Sequence, residues 1–280
     1  MAENKRMTFQ EIKRNKDKFL DQYKLREEFE KSGYTWKVLM EIASQYDSDR
    51  TNVYPDIIKE YITQISKFDA IHSYRYRIKD TDSLIKKIIT KANTKDKRVT
   101  PESYLYKITD LLGIRVLYLF KEDYYKVHQQ LMDAYQPQLV ENVHIKLQTG
   151  DDKSIYEKIL GCDPVIEENN TYRSIHYTLN TGGAKSARLE IQTRTIFEEG
   201  WSEINHKLVY KNQDVADYFA LTQASKILST LVGNCDSLGT LMKNIYDEYL
   251  KKVEENQKHP YNAQDSNDIM SEVLKSFLRS

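Results

Sequence analysis

Across residues 8–70, apolar positions recur at helical spacing among charged ones. Phe19, Tyr23 and Phe29 open the stripe, and Val38, Leu39, Ile42 and Ala43 fall at i, i+1, i+4 and i+5, so amphipathic helices are predicted. The polar run SDRTNVYP, about Ser48–Pro55, predicts a break. Helical spacing resumes in DIIKEYITQISKF, with Ile57, Tyr61, Ile62 and Ile65 on one side. The segment IHSYRYRIKDTD reads as extended. A helix follows in SLIKKIITKA, with Leu84, Ile85, Ile88 and Ile89 inward and Asp82 or Ser83 as the expected N-cap. The continuous apolar run ITDLLGIRVLYLF predicts a buried strand, and EDYYKVHQQLMDAY a helix packed on it. The polar stretch 137–170 predicts a loop with a short helix.

Strict alternation then appears in NTYRSIHYTLNTGGAKSARLEIQTRT, which predicts a β-hairpin. Ile175, Tyr177, Leu179, Leu189 and Ile191 take one face; Tyr172, Ser174, His176, Thr178, Glu190, Gln192 and Arg194 take the other. Thr195 and Glu198 form a T-x-x-E capping box for the next helix, where Phe197, Trp201, Ile204 and Leu208 predict one buried stripe. Residues 214–257 predict a long helical region carrying Ile227, Leu231, Leu238 and Met242, broken near GNCDSLG, and a polar tail follows Pro260. Helices, then interleaved strands and helices, then helices predict an α+β fold with a mixed sheet. The expected organisation is a helical extension over 1–70, a core over 71–212 and a helical region with its tail over 213–280.

Composition narrows the function. Lys+Arg and Asp+Glu balance at 42 each, so no global basic field draws in nucleic acid. Cys162 and Cys235 are far apart with no metal spacing, which fits a reducing compartment. The first residues lack an apolar signal segment, and the longest apolar-rich run, LLGIRVLYLF, is too short to span a bilayer, so a cytoplasmic protein is expected.

Four groups of residues can carry chemistry. Arg75, Arg77 and Lys79 share one side of an extended chain just before a helix start at Ser83, an arrangement suited to polyphosphate or to a solvated basic edge. Asp110 stands at the mouth of the apolar strand, where a carboxylate can hold Mg²⁺ or cap a turn. Arg115 inside that strand needs a carboxylate or a ligand. The polar hairpin face brings an aromatic, an imidazole, a carboxylate, an amide and a guanidinium together. Asn205, His206 and Lys207 follow on the next helix. The set leans toward phosphate transfer, without a P-loop or a G-x-G-x-x-G element.

In the order RIKDTDS, DLLGIRVLYLF, YRSIHYTL, LEIQTRT and WSEINHKLVYK, these segments resemble the RelA/SpoT-type (p)ppGpp synthetases over Tyr74 to Lys211, as in the small single-domain alarmone synthetases of the stringent response. The resemblance implies a nucleotidyltransferase-like core and Mg²⁺-dependent transfer of pyrophosphate from ATP to the 3′-hydroxyl of GDP or GTP. It also implies roles: Arg77, Lys79, Ser83 and Arg115 for ATP, Asp110 and Glu190 for Mg²⁺ and catalysis, Tyr172 for the acceptor base, and His176, Gln192, Arg194 and Asn205 for the rest of the acceptor. The hydrolase of the long members carries a His-Asp motif; no His-Asp dipeptide occurs here and little sequence precedes the core, so synthesis without hydrolysis is expected.

One segment departs from the pattern. Many members precede the tyrosine with a basic, glycine-containing loop, whereas this chain has CDPVIEENNTYRS with Glu167 and Glu168. The acceptor therefore stays open among GDP, GTP, GMP, an adenosine nucleotide and a tRNA 3′ end. The alternatives are a toxic relative that pyrophosphorylates tRNA and an inactive nucleotide-binding regulator. A homo-oligomer through the helical extensions is the other expected association, and no membrane partner is expected.

Overall fold

The computed structural model describes residues 6–92, 98–157, 163–169, 171–183, 185–210 and 219–258. Five helices come first: α1 (Phe9–Arg14), α2 (Lys16–Gln22), α3 (Arg26–Ser32), α4 (Trp36–Asn52) and α5 (Tyr54–Ile65). The expected break at Ser48–Pro55 shrinks to Val53, because α4 runs through Asn52 and Pro55 sits in the first turn of α5, where its missing N–H costs nothing. Leu39, Ile42 and Ala43 are buried as their spacing requires, and so are Tyr61 and Ile65, whereas Ile57 and Ile62 are only partly buried and Ile58 enters the core instead.

Then follow β1 (Ser73–Ile78), α6 (Thr81–Lys91), α7 (Tyr104–Lys107), β2 (Leu112–Tyr118), α8 (Asp123–Tyr135), β3 (His144–Gln148), α9 (Ser154–Glu157), β4 (Val165–Asn169), β5 (Ser174–Asn180) and β6 (Arg188–Thr195). The N-cap of α6 is Asp80, not Asp82 or Ser83. Asp80 is the residue with extended backbone, and its carboxylate is held by Arg50 of α4 at 2.7 Å and by Arg6. Residues 137–170 hold the expected short helix, α9, but their described part also contains two strands, β3 and β4, paired in parallel. Among the described residues, six strands form one mixed sheet in the order β1-β2-β6-β5-β3-β4.

One face of this sheet is apolar. Leu112, Ile114 and Val116 of β2, Ile175, Tyr177 and Leu179 of β5, and Leu189 and Ile191 of β6 are buried in a single core with residues of α4, α5, α6 and α8. At about 25 cal/mol per Å² of apolar surface, such a core is the main stabilising contribution. It leaves the opposite face of β2, β5 and β6 for polar groups.

The chain continues into α10 (Ile196–Asn205), a π-helical turn (His206–Tyr210) and α11 (Phe219–Lys258). Thr195 and Glu198 make both bonds of the capping box, which is worth about 1 kcal/mol. The buried stripe expected on α10 is not formed: Trp201 is buried, but Phe197, Ile204 and Leu208 are exposed. Glu198 and Glu199 face inward instead, because the polar sheet face beneath carries arginines. The break expected at GNCDSLG is also absent, since α11 is continuous. Its glycine there serves packing, as a Cβ on Gly233 would meet Arg173 Nη2 at 3.0 Å. Arg173 donates to Ser229 O at 2.9 Å and Trp201 Nε1 to Ser225 O at 2.9 Å, and these bonds dock α11 on the core. Residues 214–218 and the tail after Pro260 lie outside the described residues. No described helix is long and apolar enough to cross a membrane.

Candidate active site

Strand pairing assembles two rows of side chains across the polar face. Arg77 stands opposite Gly113, Gly113 opposite Glu190, and Glu190 opposite Thr178. In the next row Arg75, Arg115, Gln192, His176 and His144 lie side by side. Opposed residues on neighbouring strands share a face, so residues more than a hundred positions apart become neighbours. Gly113 keeps the first row open: a Cβ there would meet Arg77 Cγ at 3.4 Å, so the arginine stem lies directly over it.

Glu190 is the centre of these rows. His176 Nδ1–H donates to its Oε1 at 2.9 Å and Gln192 Nε2–H to its Oε2 at 2.8 Å. Burial pulls its carboxyl upward and nearby Asp110 adds to that, but the bonds from His176 and Gln192 win and hold it below the ordinary value. The His176 Nε2 atom is buried without a partner among the described residues. Glu190 lines two clefts. One, of about 260 Å³, is walled by Arg75, Arg77, Gly113, Arg115 and Gln192. The other, of about 540 Å³, is walled by Lys91, Lys107, His144, Lys146 and His176.

Asp110 sits just before β2 and is gripped by cations. Lys79 Nζ donates to Oδ2 at 2.7 Å, Lys87 Nζ to Oδ1 at 2.6 Å, and Arg77 Nη2 lies at 3.8 Å. Burial would raise this carboxyl, yet Lys79 and Lys87 hold it well below the usual carboxylate range. Burial pushes the Lys79 ammonium below its ordinary value, against the pull of Asp110. The turn bearing Lys79 is fixed from α4: Tyr46 Oη–H donates to Lys79 O at 2.6 Å and Arg50 Nε–H at 3.1 Å.

The remaining expected residues divide. Arg115 donates to Glu199 at 2.8 Å and to Glu203, so the buried-strand arginine finds its carboxylates on α10. Arg194 is 1 % exposed, and its Nη2 donates to Tyr172 Oη at 2.6 Å and Gln192 Oε1 at 3.0 Å. The guanidinium carbon stands 5.0 Å from the Tyr172 ring centre, a cation–π contact. Arg194 therefore holds Tyr172 and Gln192 from behind rather than facing a cleft. Ser83 bonds to Asp82 through its N–H at 2.6 Å and its hydroxyl at 3.1 Å. Asn205 accepts from Ser225 at 2.7 Å, and of the expected residues Lys79, Ser83, Asp110, Tyr172, Arg194 and Asn205 do not line the two clefts. Sequence reasoning missed Lys87, Lys91, Lys107, His144 and Lys146 as site residues, and Glu199 as the partner that holds Arg115 from outside the clefts. The period-2 pattern Ile145, Leu147 in HIKLQ was a signal for β3, but the others are assembled by tertiary packing.

The acidic VIEEN segment is edge strand β4, and its charges are matched. Glu167 lies 3.4 Å from His144 Nδ1 and 3.8 Å from Lys146 Nζ, and Glu168 pairs with Lys153.

Two carboxylates suit one hard divalent ion when phosphate oxygens complete its shell. Asp110 and Glu190 are close enough for their charges to oppose, and each bonded oxygen keeps a second lone pair. Among the described residues no group of three or more His, Cys, Asp or Glu could hold a metal unaided, so a phosphate ligand would have to share it. On this donor set Mg²⁺ fits.

Comparison with known proteins gives one consistent result. Residues 76–215 match the family described as "Region found in RelA / SpoT proteins". The GTP pyrophosphokinase YwaC of Bacillus subtilis (strain 168) is 26% identical over 165 residues, which span 57% of this chain and 68% of that protein. Among solved structures, small alarmone synthetase 1 from Bacillus subtilis is 16% identical with a TM-score of 0.48, covering 76% of this chain and 97% of that one. A GTP pyrophosphokinase family protein from Streptococcus pneumoniae is 22% identical with a TM-score of 0.46, covering 80% and 98%.

Proposed function

The chain belongs to the RelA/SpoT family, and from that premise we propose that it transfers the terminal pyrophosphoryl group of ATP to the 3′-hydroxyl of GDP or GTP. The observation that carries this reading is Glu190, the one side chain among the described residues shared by both clefts, with each oxygen held by a separate donor.

In this reading the cleft of Arg75, Arg77 and Arg115 takes the donor. The cleft of Lys91, Lys107, His144 and Lys146 takes the acceptor phosphates, in place of the basic loop that this chain lacks. The 3′-oxygen bonds to the β-phosphorus of ATP, the bond from that phosphorus to the bridging oxygen of the α-phosphate breaks, and AMP leaves. The proton of the hydroxyl passes to Glu190, which is ionised at neutral pH. His176 and Gln192 keep the carboxylate aimed, and Tyr172 offers an aromatic face for the base. Arg77 and Lys79 offset phosphate charge; this positioning and neutralisation make up most of what phosphoryl-type catalysis requires. Asp110 and Glu190 would hold Mg²⁺, which supplies further charge neutralisation on the triphosphate when bound.

Incubation with γ-labelled ATP and Mg²⁺, separately with GDP, GTP, GMP and deacylated tRNA, tests the reading. Label on the 3′ position of GDP or GTP with equimolar AMP is expected. Label on tRNA alone would move the acceptor to an RNA end. Transfer to none of them would overturn the enzymatic reading.

A further inference from the structure

Glu199 is the residue where the two halves of the polar face meet. It lies on α10, buried, with a side chain 6% exposed. Its Oε1 accepts from Arg115 Nη1 at 2.8 Å and lies 4.0 Å from Arg75 Nη1. Its Oε2 faces Arg194 Nη1 at 3.6 Å, too far for a direct hydrogen bond. Glu199 Oε2, Arg194 Nη1 and Arg194 Nε are all buried without a hydrogen-bond partner. Such groups are costly to leave unsatisfied. A buried acceptor and a buried donor thus stand face to face, a few tenths of an ångström short of a bond, while the other carboxylate oxygen is committed to Arg115. Closing that gap would give both groups the partner they lack.

Both sides of the contact lead to the chemistry. Arg75 and Arg115 wall the donor cleft. On the other side Arg194 donates to Tyr172 Oη at 2.6 Å and to Gln192 Oε1 at 3.0 Å, and Gln192 donates to Glu190 Oε2 at 2.8 Å. We propose that Glu199 is a positioning residue that couples the two clefts, sharing its carboxylate between the donor-cleft arginines and Arg194. A polyphosphate that takes over Arg75 and Arg115 releases Glu199 to close on Arg194. Arg194 then fixes Tyr172 and, on the wall of the donor cleft itself, Gln192, whose bond to Glu190 reaches the residue that also lines the acceptor cleft. The acceptor is consequently held more tightly once the donor is in place. The inference rests on the proposed assignment of the two clefts, and it assigns the coupling between them to Glu199.

Thermodynamic coupling reads this directly. GDP affinity is measured by calorimetry on the full chain with and without saturating α,β-methylene-ATP, which does not react. In the wild type the analogue is expected to tighten GDP by about five-fold or more, within the usual range for coupled sites. In Glu199→Gln that factor is expected to fall to near one, while each nucleotide alone still binds within about three-fold of wild type. The double variant Glu199→Gln with Arg194→Gln removes the buried charges together, which guards against a folding defect from an unpaired arginine; it too is expected to be uncoupled. A wild-type factor of one, or a factor unchanged in either variant, overturns the proposal. Failure of wild type to bind either nucleotide would instead overturn the cleft assignment, and this proposal with it.

Discussion

Glu190 owes its charge state to two neighbours. Burial works against ionisation, and His176 and Gln192 reverse the balance. Asp110 follows the same logic with ammonium groups, since Lys79 and Lys87 outweigh a burial that would otherwise protonate it. Gly113 makes a quieter contribution by leaving room for Arg77 to cross the sheet toward Asp110. Gly113→Ala would place a methyl 3.4 Å from the Arg77 stem, at the near edge of ordinary contact, so the arginine loses room to move toward a bound triphosphate. The expected result is a several-fold higher KM for ATP with kcat nearly unchanged, and a stability shift within about 1 kcal/mol. Steady-state kinetics beside a thermal melt checks it, and an unchanged KM would show that Arg77 keeps its place. These residue types were legible in the sequence because alternation along β1, β5 and β6 sorts them onto one face. Their partners were not. Lys87 reaches Asp110 across 23 positions and Arg115 reaches Glu199 across 84, and no local pattern encodes such distances.

Elements differed in how far their patterns could be trusted. The capping box at Thr195 and Glu198 formed as its spacing requires, because a cap is local. The stripe on α10 misled, because the sheet face beneath it needed carboxylates for Arg115 and Arg194, and that need is not local. Strand β4 was illegible for a related reason: an edge strand with charges on both sides shows no alternation. The glycines of α11 read as breakers, yet Gly233 lets the helix approach Arg173 closely.

That docking carries a pH dependence. Asp236 of α11 accepts from Thr195 Oγ1 at 3.0 Å beside buried Glu198. Burial, with the charge of Glu198 behind it, raises its carboxyl to about 7, although Lys121 and Arg173 pull the other way. Undocked, the group would titrate at its ordinary 3.8. A carboxyl raised in the docked state favours docking fully below its undocked value, and that contribution is gone once pH has risen through about 7. The melting midpoint, followed by Trp201 emission in a Trp36→Phe background, is expected to fall between about pH 4 and 7 in the parent and to fall less in Asp236→Asn. Equal pH dependence in both would refute the role of Asp236.

At the scale of the whole molecule, the amino-terminal helices are part of the site's support. Residues of α4 and α5 share the core of the sheet, and Tyr46 and Arg50 hold the turn that presents Lys79. On the far side α11 docks against α10, which supplies Glu199 to the polar face. The sheet between them places basic groups on both flanks of one carboxylate, in a chain whose overall charge is balanced. The α+β class was readable from the order of periodicities. The strand order was not, because the parallel pairing of β2 with β6 joins segments separated by most of the core.

In the proposed reaction Glu190, held between the two clefts, takes the proton of the attacking hydroxyl. The most direct measurement is the single-turnover rate of pyrophosphoryl transfer from ATP to GDP in Glu190→Gln, with both nucleotides saturating and both affinities measured alongside. The amide keeps the size of the side chain but cannot accept the proton. The expected rate is about a hundred- to ten-thousand-fold below wild type, with the melting temperature nearly unchanged and donor binding largely retained. Transfer within about ten-fold of wild type would contradict the account, because the proton would then leave by a route that does not use this residue.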